Sequence, residues 1–475
     1  MHSKSLTRQC TVGDPKFWPS LIKYAVLLNL SLFVFLGNMY SSGIATGFPE
    51  LAMDFRVSFG KLTDLIAWSV LALGVSSIFW MPIALCIGKR PVTIASLIVF
   101  LAGSLWSQYA TSFDSLLGSR VLASLGAGAV ETLGPSMVAG EYLFLERKYA
   151  TAMAFLQMFL AGGSQIGPLI AGYLIEARGW HWFFKLTSIL IGINLFSVIF
   201  FLLETTYRRN VADGQIGSEQ SPGFVSDKAE DVEIIETVTR TNDPSGAELN
   251  TPYAGSYWTD LIQFHDRGLE QQGIRAVFRR AIEPLQFFAV PQVVYAGASF
   301  GTVIGGIVVI SSLSPALLSP PPYLFTSALS VHLEGTRGSG EHQPEHRMPA
   351  LVLPFLICPP GLILYAYTIA AKRSYAIAGV GFAMQSAGLV LVPSVLLAYA
   401  VDTYPRRSGE ALVLINAIKN SVAFALTKST GKWFYNEGLK KMFVEMAAVQ
   451  WAILFLALPL YFASPWLRKK TLRFL

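Results

Sequence analysis

Residues 120–172 decide the fold, and they read RVLASLGAGAVETLGPSMVAGEYLFLERKYATAMAFLQMFLAGGSQIGPLIAG. Two long apolar runs flank a short charged segment, Glu141 to Lys148. Each run is too apolar for a soluble surface helix and long enough to cross a hydrocarbon core of about 30 Å. The first run carries Glu131 near its middle, where a carboxylate is costly. The stretch therefore predicts two membrane spans and one candidate functional residue.

The second run has small residues at every fourth position, Gly163, Gly167 and Ala171. In lipid, small residues at this spacing let helix backbones approach closely. Pro168 follows Gly167 and removes one backbone hydrogen bond, so we expect this span to pack tightly and to bend.

The composition places the whole chain in the same class. Of 475 residues, 53% are hydrophobic and 14% are charged, whereas soluble domains average about 25% charged residues. This composition, with repeated apolar runs, predicts an all-α polytopic membrane protein. The net charge of +6 does not indicate nucleic-acid binding, because the basic residues lie mostly at span ends, where they set topology.

No pattern in the chain is typical of an enzyme, a metal site or a cofactor site. Three cysteines form no disulfide framework, and no Ser-His-Asp or HExxH arrangement occurs. EHQPEH at 341–346 has a proline between its histidines in a glycine-rich loop, so we expect no metal there.

The apolar runs predict about eleven full spans in two groups. We expect a cytosolic N-terminal segment at 1–20, a six-helix bundle at 21–207 and a largely disordered cytosolic linker at 208–283. A second bundle at 284–465 and a basic cytosolic tail at 466–475 follow. The residues alone predict a membrane carrier or channel.

Several motifs resemble those of the major facilitator superfamily. Gly163-xxx-Gly167-Pro168-xx-Ala171-Gly172 resembles its antiporter motif, and Arg120 followed by a glycine cluster resembles its span-4 motif. GWHWFF at 179–184, LETTY at 203–207 and PEHRMPALVLP from residue 344 resemble fungal drug:proton antiporter-like members.

The resemblance implies a fold of two pseudo-symmetric bundles with alternating access to a midplane site. It implies a monomeric, plasma-membrane secondary transporter that exports a small organic molecule in exchange for protons, without a cofactor. A proton-coupled uptake carrier and a transport-inactive truncated form or sensor are the alternatives. The motif residues that would serve conformational change are Gly163, Gly167, Pro168, Gly172, Gly88, Lys89 and Arg90.

The C-terminal bundle departs from the family pattern. Members have a full span 8 before the PEHR-like loop, whereas here Tyr323 to Val331 offers about nine residues, or about 14 Å of helix. We therefore expect this bundle to lack one span. Span 8 is the usual partner of the glycine groove on span 5, so we expect that groove to face lipid or to be filled by span 7 or 10.

Polar residues inside the predicted spans are candidates for the substrate and proton pathway. Arg120 lies about 1100° of helix before Glu131, so both should share a face, although Arg120 alternatively snorkels and Glu131 alternatively bonds a neighbouring helix. Asn416, Lys419 and Asn420 share one face of span 11, where Lys419 alternatively pairs with a carbonyl. Three uncharged candidates complete the set: Asn38, Gln165 and Gln385.

Overall fold

A computed structural model describes residues 20–138, 146–202, 282–318, 344–372, 375–404 and 407–471, and the regular elements in these ranges are all helical. The predictions for the N-terminal segment to residue 19, the linker at 203–281, the short segment at 319–343 and the last residues, 472–475, lie outside the described residues.

Within its described residues, 20–138 and 146–202, the N-terminal bundle has eight helices that make six apolar crossings. They are α1 (Ser20–Gly43), α2 (Phe48–Phe55), α3 (Phe59–Ile87), α4 (Lys89–Gln108), α5 (Phe113–Ala127), α6 (Ala129–Val138), α7 (Glu146–Arg178) and α8 (Trp180–Phe201). The predicted fourth span is divided between α5 and α6 at Gly128. This break places Glu131 in the first turn of α6.

The C-terminal bundle is also built from long apolar helices. It contains α9 (Pro291–Leu318), α10 (Val352–Ala370), α11 (Tyr375–Thr403), α12 (Ser408–Phe455) and α13 (Ala457–Thr471), with short 3-10 turns at Glu283–Ala289 and Pro344–Leu351.

Helix α12 is two crossings joined at a glycine. Gly438 has φ 75° and ψ 167°, a conformation that side chains disfavour. The Trp433 indole donates to Glu445 Oε2 at 2.8 Å, whereas residues twelve apart in a straight helix are separated by about 18 Å. The chain therefore reverses at Gly438.

Ten stretches in the described part of the chain are long and apolar enough to span a membrane, and the last, Ser408–Ala463, contains this reversal. The described residues thus make eleven crossings, as the sequence predicts.

The glycine groove of α7 has a different partner from the one expected. A Cβ at Gly163 would lie closer than 3.0 Å to the Phe35 carbonyl oxygen, and one at Gly167 would lie 2.8 Å from Met39 Cα. Both residues belong to α1, so at these glycines the groove packs within its own bundle and not on lipid or on span 7 (α9), although α7 also contacts span 10 (α11). Two neighbouring helices of one bundle can approach closely here because the side chains between them are absent.

The two bundles meet along α3 and α12. The pairs along this seam include Asp64 with Lys428, the rings of Trp68 and Phe424 at 5.3 Å, and Gly74 against Asn420. Helix α7 also packs on α11, and α6 packs on α12. The last contact carries the candidate site.

Candidate functional site

Glu131 and a polar face of α12 meet between the two bundles. Lys419 Nζ donates to Glu131 Oε2 at 2.8 Å, and Asn420 Nδ2 donates to the same oxygen at 2.9 Å. Asn416 Nδ2 donates to the Glu131 backbone carbonyl at 2.9 Å. The three residues predicted to share a face of span 11 therefore all contact one residue of span 4.

This ion pair is buried. The Lys419 and Glu131 side chains are 0% and 4% exposed, and the ammonium also lies 4.9 Å from the centre of the Phe300 ring. Because both charged groups are shielded from water, each is stabilised by the other and by the side-chain amides of Asn416 and Asn420. A change in the charge of either partner would therefore alter the contact between the bundles.

A small cavity of about 30 Å³ lies beside the pair. Helices of both bundles line it with two kinds of surface. The polar lining residues are Asn38, Ser41, Ser42, Glu131, Ser164, Ser311 and Asn420, and the apolar ones are Ile66, Val70, Leu73, Ile304, Ile307 and Val308.

Arg120 is buried elsewhere in the N-terminal bundle. Its guanidinium donates to the carbonyls of Leu65, Tyr40 and Ser41 at 3.0, 3.2 and 2.8 Å and lies 5.2 Å from the centre of the Tyr40 ring. The side chain is 0% exposed, so the snorkelling alternative is wrong. Arg120 and Glu131 bind different groups, and Arg120 connects α5 to α1 and α3.

The uncharged candidates are divided between the cavity and the helix interfaces. Asn38 lines the cavity, donates to the Val34 carbonyl at 3.0 Å and accepts from the Ser164 hydroxyl at 3.4 Å. Gln385 donates to the Val303 carbonyl at 3.2 Å, between α11 and α9. Gln165 has no amide partner among the described residues and is not part of the cavity lining.

The predicted conformational motif between α3 and α4 caps the N-terminal bundle. Gly88 has φ 113° and separates the two helices. Lys89 donates to the Ser136 carbonyl at 3.0 Å, and Arg90 donates to the Ile199 carbonyl at 2.9 Å. This turn therefore connects the ends of α4, α6 and α8.

Sequence reasoning missed the four cavity serines. Serines in an apolar helix commonly donate to their own backbone, as Ser42 does to the Asn38 carbonyl at 2.9 Å, so their presence is a weak signal. It also missed the pair of Lys428 and Asp64, because their spacing of 364 residues leaves no local pattern.

Comparison with known proteins gives the chain a family. The model of the Major Facilitator Superfamily matches residues 29–427. The efflux pump FUBT of Fusarium oxysporum is 25% identical over 443 residues, covering 92% of this chain and 72% of that pump. The probable efflux pump mfs2 of Aspergillus flavus is 24% identical, covering 80% of this chain and 88% of the relative.

Solved structures agree on the fold. The Escherichia coli xylose transporter XylE, in a partially occluded inward-open conformation, superposes with a TM-score of 0.60 at 11% identity, covering 92% of this chain and 97% of XylE. The human organic anion transporter MFSD10 gives 0.57 at 14% identity, covering 93% of this chain and all of MFSD10. At such identities the likeness concerns architecture alone.

Proposed function

Because the chain belongs to the Major Facilitator Superfamily, and is thus a multi-pass membrane transporter, we propose that it exports a small organic molecule in exchange for protons. The main support is that one buried carboxylate, Glu131, is bound across the bundle interface by Lys419 and Asn420. The efflux pumps among its relatives support the outward direction. We further propose a monomer in the plasma membrane.

Glu131 is the proton site in this proposal. An ionised carboxylate makes charge-assisted hydrogen bonds to Lys419 and Asn420, and these hold α6 of one bundle against α12 of the other. A proton on Glu131 removes the charge and weakens both bonds. Proton binding then favours a conformation in which the bundles separate at this point, since a ligand shifts an equilibrium by its differential affinity for the two states.

We propose that the substrate binds at the cavity, which lies at the same interface. Its walls come from α1, α3, α6 and α7 of the first bundle and from α9 and α12 of the second. A molecule bound there would contact both bundles and would respond to their relative movement, as alternating access requires.

The proposal is tested in proteoliposomes with an imposed pH gradient and a panel of small organic molecules. Wild-type protein should move at least one compound against the proton flow, and Glu131→Gln should give no proton-driven transport, because an amide cannot bind and release a proton. Glu176→Gln, the same change at an exposed carboxylate of α7, should transport as wild type.

Three results would reject parts of this proposal. Full pH-driven transport by Glu131→Gln would make Glu131 structural. Compounds that travel with the proton would support the uptake alternative. No flux of any compound by the unmodified chain would support the inactive form.

A further inference from the structure

The turn between α7 and α8 brings two cations to one aromatic ring. The Arg178 guanidinium lies 4.7 Å from the centre of the Trp182 ring, and the Lys185 ammonium lies 4.8 Å from the same centre. The Trp182 side chain is itself exposed. Two positive charges held near each other repel, and a shared ring offsets only part of this repulsion. The arrangement therefore favours an anion that contacts both cations.

No carboxylate in the described part of the chain neutralises either cation, since neither Arg178 nor Lys185 makes a salt bridge there. Asp54, on α2, accepts a hydrogen bond from Trp180 Nε1 at 2.9 Å. Glu176, in the last turn of α7, is exposed and forms no salt bridge with Arg178. The positive charge at this turn is thus available to an external anion.

These residues lie at a membrane interface. Helix α7 ends at Arg178 and α8 begins at Trp180, and both helices are long and apolar enough to span a membrane. Tryptophan and basic side chains at the ends of spans are typical of the headgroup region. The turn lies at the end of the bundle opposite to Gly88, because three crossings separate the two turns along the chain. An anion bound at this turn would therefore lie at the depth of lipid headgroups.

An exposed apolar stripe on α8 begins at the two cations. Its members are three, four or seven residues apart and so share one face of the helix. They are Trp182, Ile189, Ile193, Phe196 and Phe200. Gly192 forms a notch between Ile189 and Phe196, where an added Cβ would meet nothing within 4 Å. From Lys185 to Phe196 the stripe covers about 16 Å of helix, which matches the hydrocarbon depth of one leaflet, about 15 Å.

We propose that Arg178, Lys185 and the apolar stripe of α8 bind an anionic phospholipid. The two cations hold its negatively charged headgroup beside the Trp182 ring, and one acyl chain follows the stripe past Gly192. The occupant is a lipid and not a soluble anion, because the apolar surface continues from the cations into the membrane. This inference goes beyond the proposed transport and does not depend on the role of Glu131.

Native mass spectrometry tests the proposal by counting the lipids bound to the purified full chain after its release from an uncharged detergent. The probes are dioleoyl phosphatidylglycerol, which is anionic, and dioleoyl phosphatidylcholine, which has the same acyl chains and no net charge. A basic side chain near a headgroup contributes about fivefold in affinity, and two act together here. The wild-type protein should therefore bind its first phosphatidylglycerol at least about tenfold more tightly than its first phosphatidylcholine.

Variants of the two cations locate the site. Arg178→Gln and Lys185→Gln should each weaken the binding of phosphatidylglycerol about fivefold, and the double variant should bind the two lipids equally. Arg178→Lys should keep the preference, because it keeps the charge. Lys440→Gln is the matched control, since Lys440 is a single cation 5.4 Å from the centre of the Tyr367 ring in the other bundle. This control should retain the wild-type preference. The comparison of the two lipids on the wild-type protein stands even if a variant fails to fold.

Equal affinity of the wild-type protein for the two lipids would overturn the inference. So would a preference that persists in Arg178→Gln/Lys185→Gln, or one that Lys440→Gln loses to the same extent, because surface charge in general would then be responsible. Glycerol 3-phosphate, an anion without acyl chains, should not displace the bound lipid when added in excess. Its displacement of the lipid would indicate a site for soluble anions instead. None of these measurements involves transport, so failure here leaves the proposed function standing, and failure of transport leaves this inference standing.

Discussion

The Glu131–Lys419 pair makes each partner dependent on the other. In Lys419→Met the carboxylate loses its cation while 4% exposed, and the removal of one partner of a buried pair costs about 3–5 kcal/mol. We expect Lys419→Met to lower the free energy of unfolding by that amount. In Glu131→Gln/Lys419→Met neither charge remains, so the double variant should recover most of the lost stability but no proton-driven transport.

Lys428→Met is the matched control, because Lys428 is 45% exposed and pairs with Asp64 at the surface of the seam. Such a pair contributes at most about 1 kcal/mol, so this variant should unfold close to wild type. The free energies are measured by reversible unfolding in a denaturing detergent. If Lys419→Met and Lys428→Met lowered the free energy of unfolding equally, a special role for the buried pair would be contradicted.

At the scale of residues, the sequence identified the participants of the site but not their pairing. Asn416, Lys419 and Asn420 share a face because helical spacing requires it. Their partner Glu131 is 288 residues away from Lys419, and only the packing of α6 on α12 brings them together. Arg120 was predicted to share a face with Glu131. Instead it binds carbonyls of α1 and α3, and local spacing could not show this.

At the scale of elements, the contact between α1 and α7 depends on the absence of side chains at two glycines. A methyl group at Gly163 would overlap the Phe35 carbonyl, and backbone cannot move as a flexible side chain does. We expect Gly163→Ala to lower the free energy of unfolding by about 1–3 kcal/mol, the usual cost of overpacking.

Two other glycines serve as controls for this prediction. At Gly172, in the same motif, the nearest atom to an added Cβ would be 3.8 Å away, and at Gly192 nothing lies within 4 Å. Alanine at either position should be neutral or slightly stabilising, because alanine is the better helix former by about 1 kcal/mol. If alanine at Gly163, Gly172 and Gly192 changed the thermal unfolding temperature equally, close packing at Gly163 would be refuted.

Apolar run length was sufficient to predict where helices occur, because a crossing needs about 20 apolar residues. It did not predict the break at Gly128 or the identity of the helix that fills the glycine groove. Both depend on neighbouring helices: a Cβ at Gly128 would overlap Ser76 and Leu73 of α3, and the groove is occupied by α1.

At the scale of the molecule, the seam between α3 and α12 holds the two bundles together over its whole length. Gly60 faces Gly431 at one end, and Met81 faces Gly409 at the other. The ion pair at Glu131 lies next to this seam, since Asn420 packs on Gly74 and also binds the carboxylate. A change of charge at Glu131 is thus positioned to affect how the bundles meet.

The sequence predicted this two-bundle architecture through its motifs, and the family and the solved structures confirm it. The predicted loss of span 8 concerns residues 319–343, which lie outside the described part of the chain, and it stays a prediction. Charge and apolarity alone could not predict the close contact between α3 and α12. This contact depends on the complementary shapes of two antiparallel helices, in which glycines lie opposite larger groups.

We propose that a proton on Glu131 loosens the contact between the bundles. Spin labels at Tyr109 and Tyr435, which are 76% and 88% exposed on opposite bundles, report the distance across the Gly60 end of the seam in a background without native cysteines. Double electron–electron resonance should show this distance increasing as the pH is lowered in otherwise wild-type protein, and not in Glu131→Gln. If the distance did not change with pH in protein that retains Glu131, or changed equally in Glu131→Gln, this role of the Glu131 proton would be contradicted.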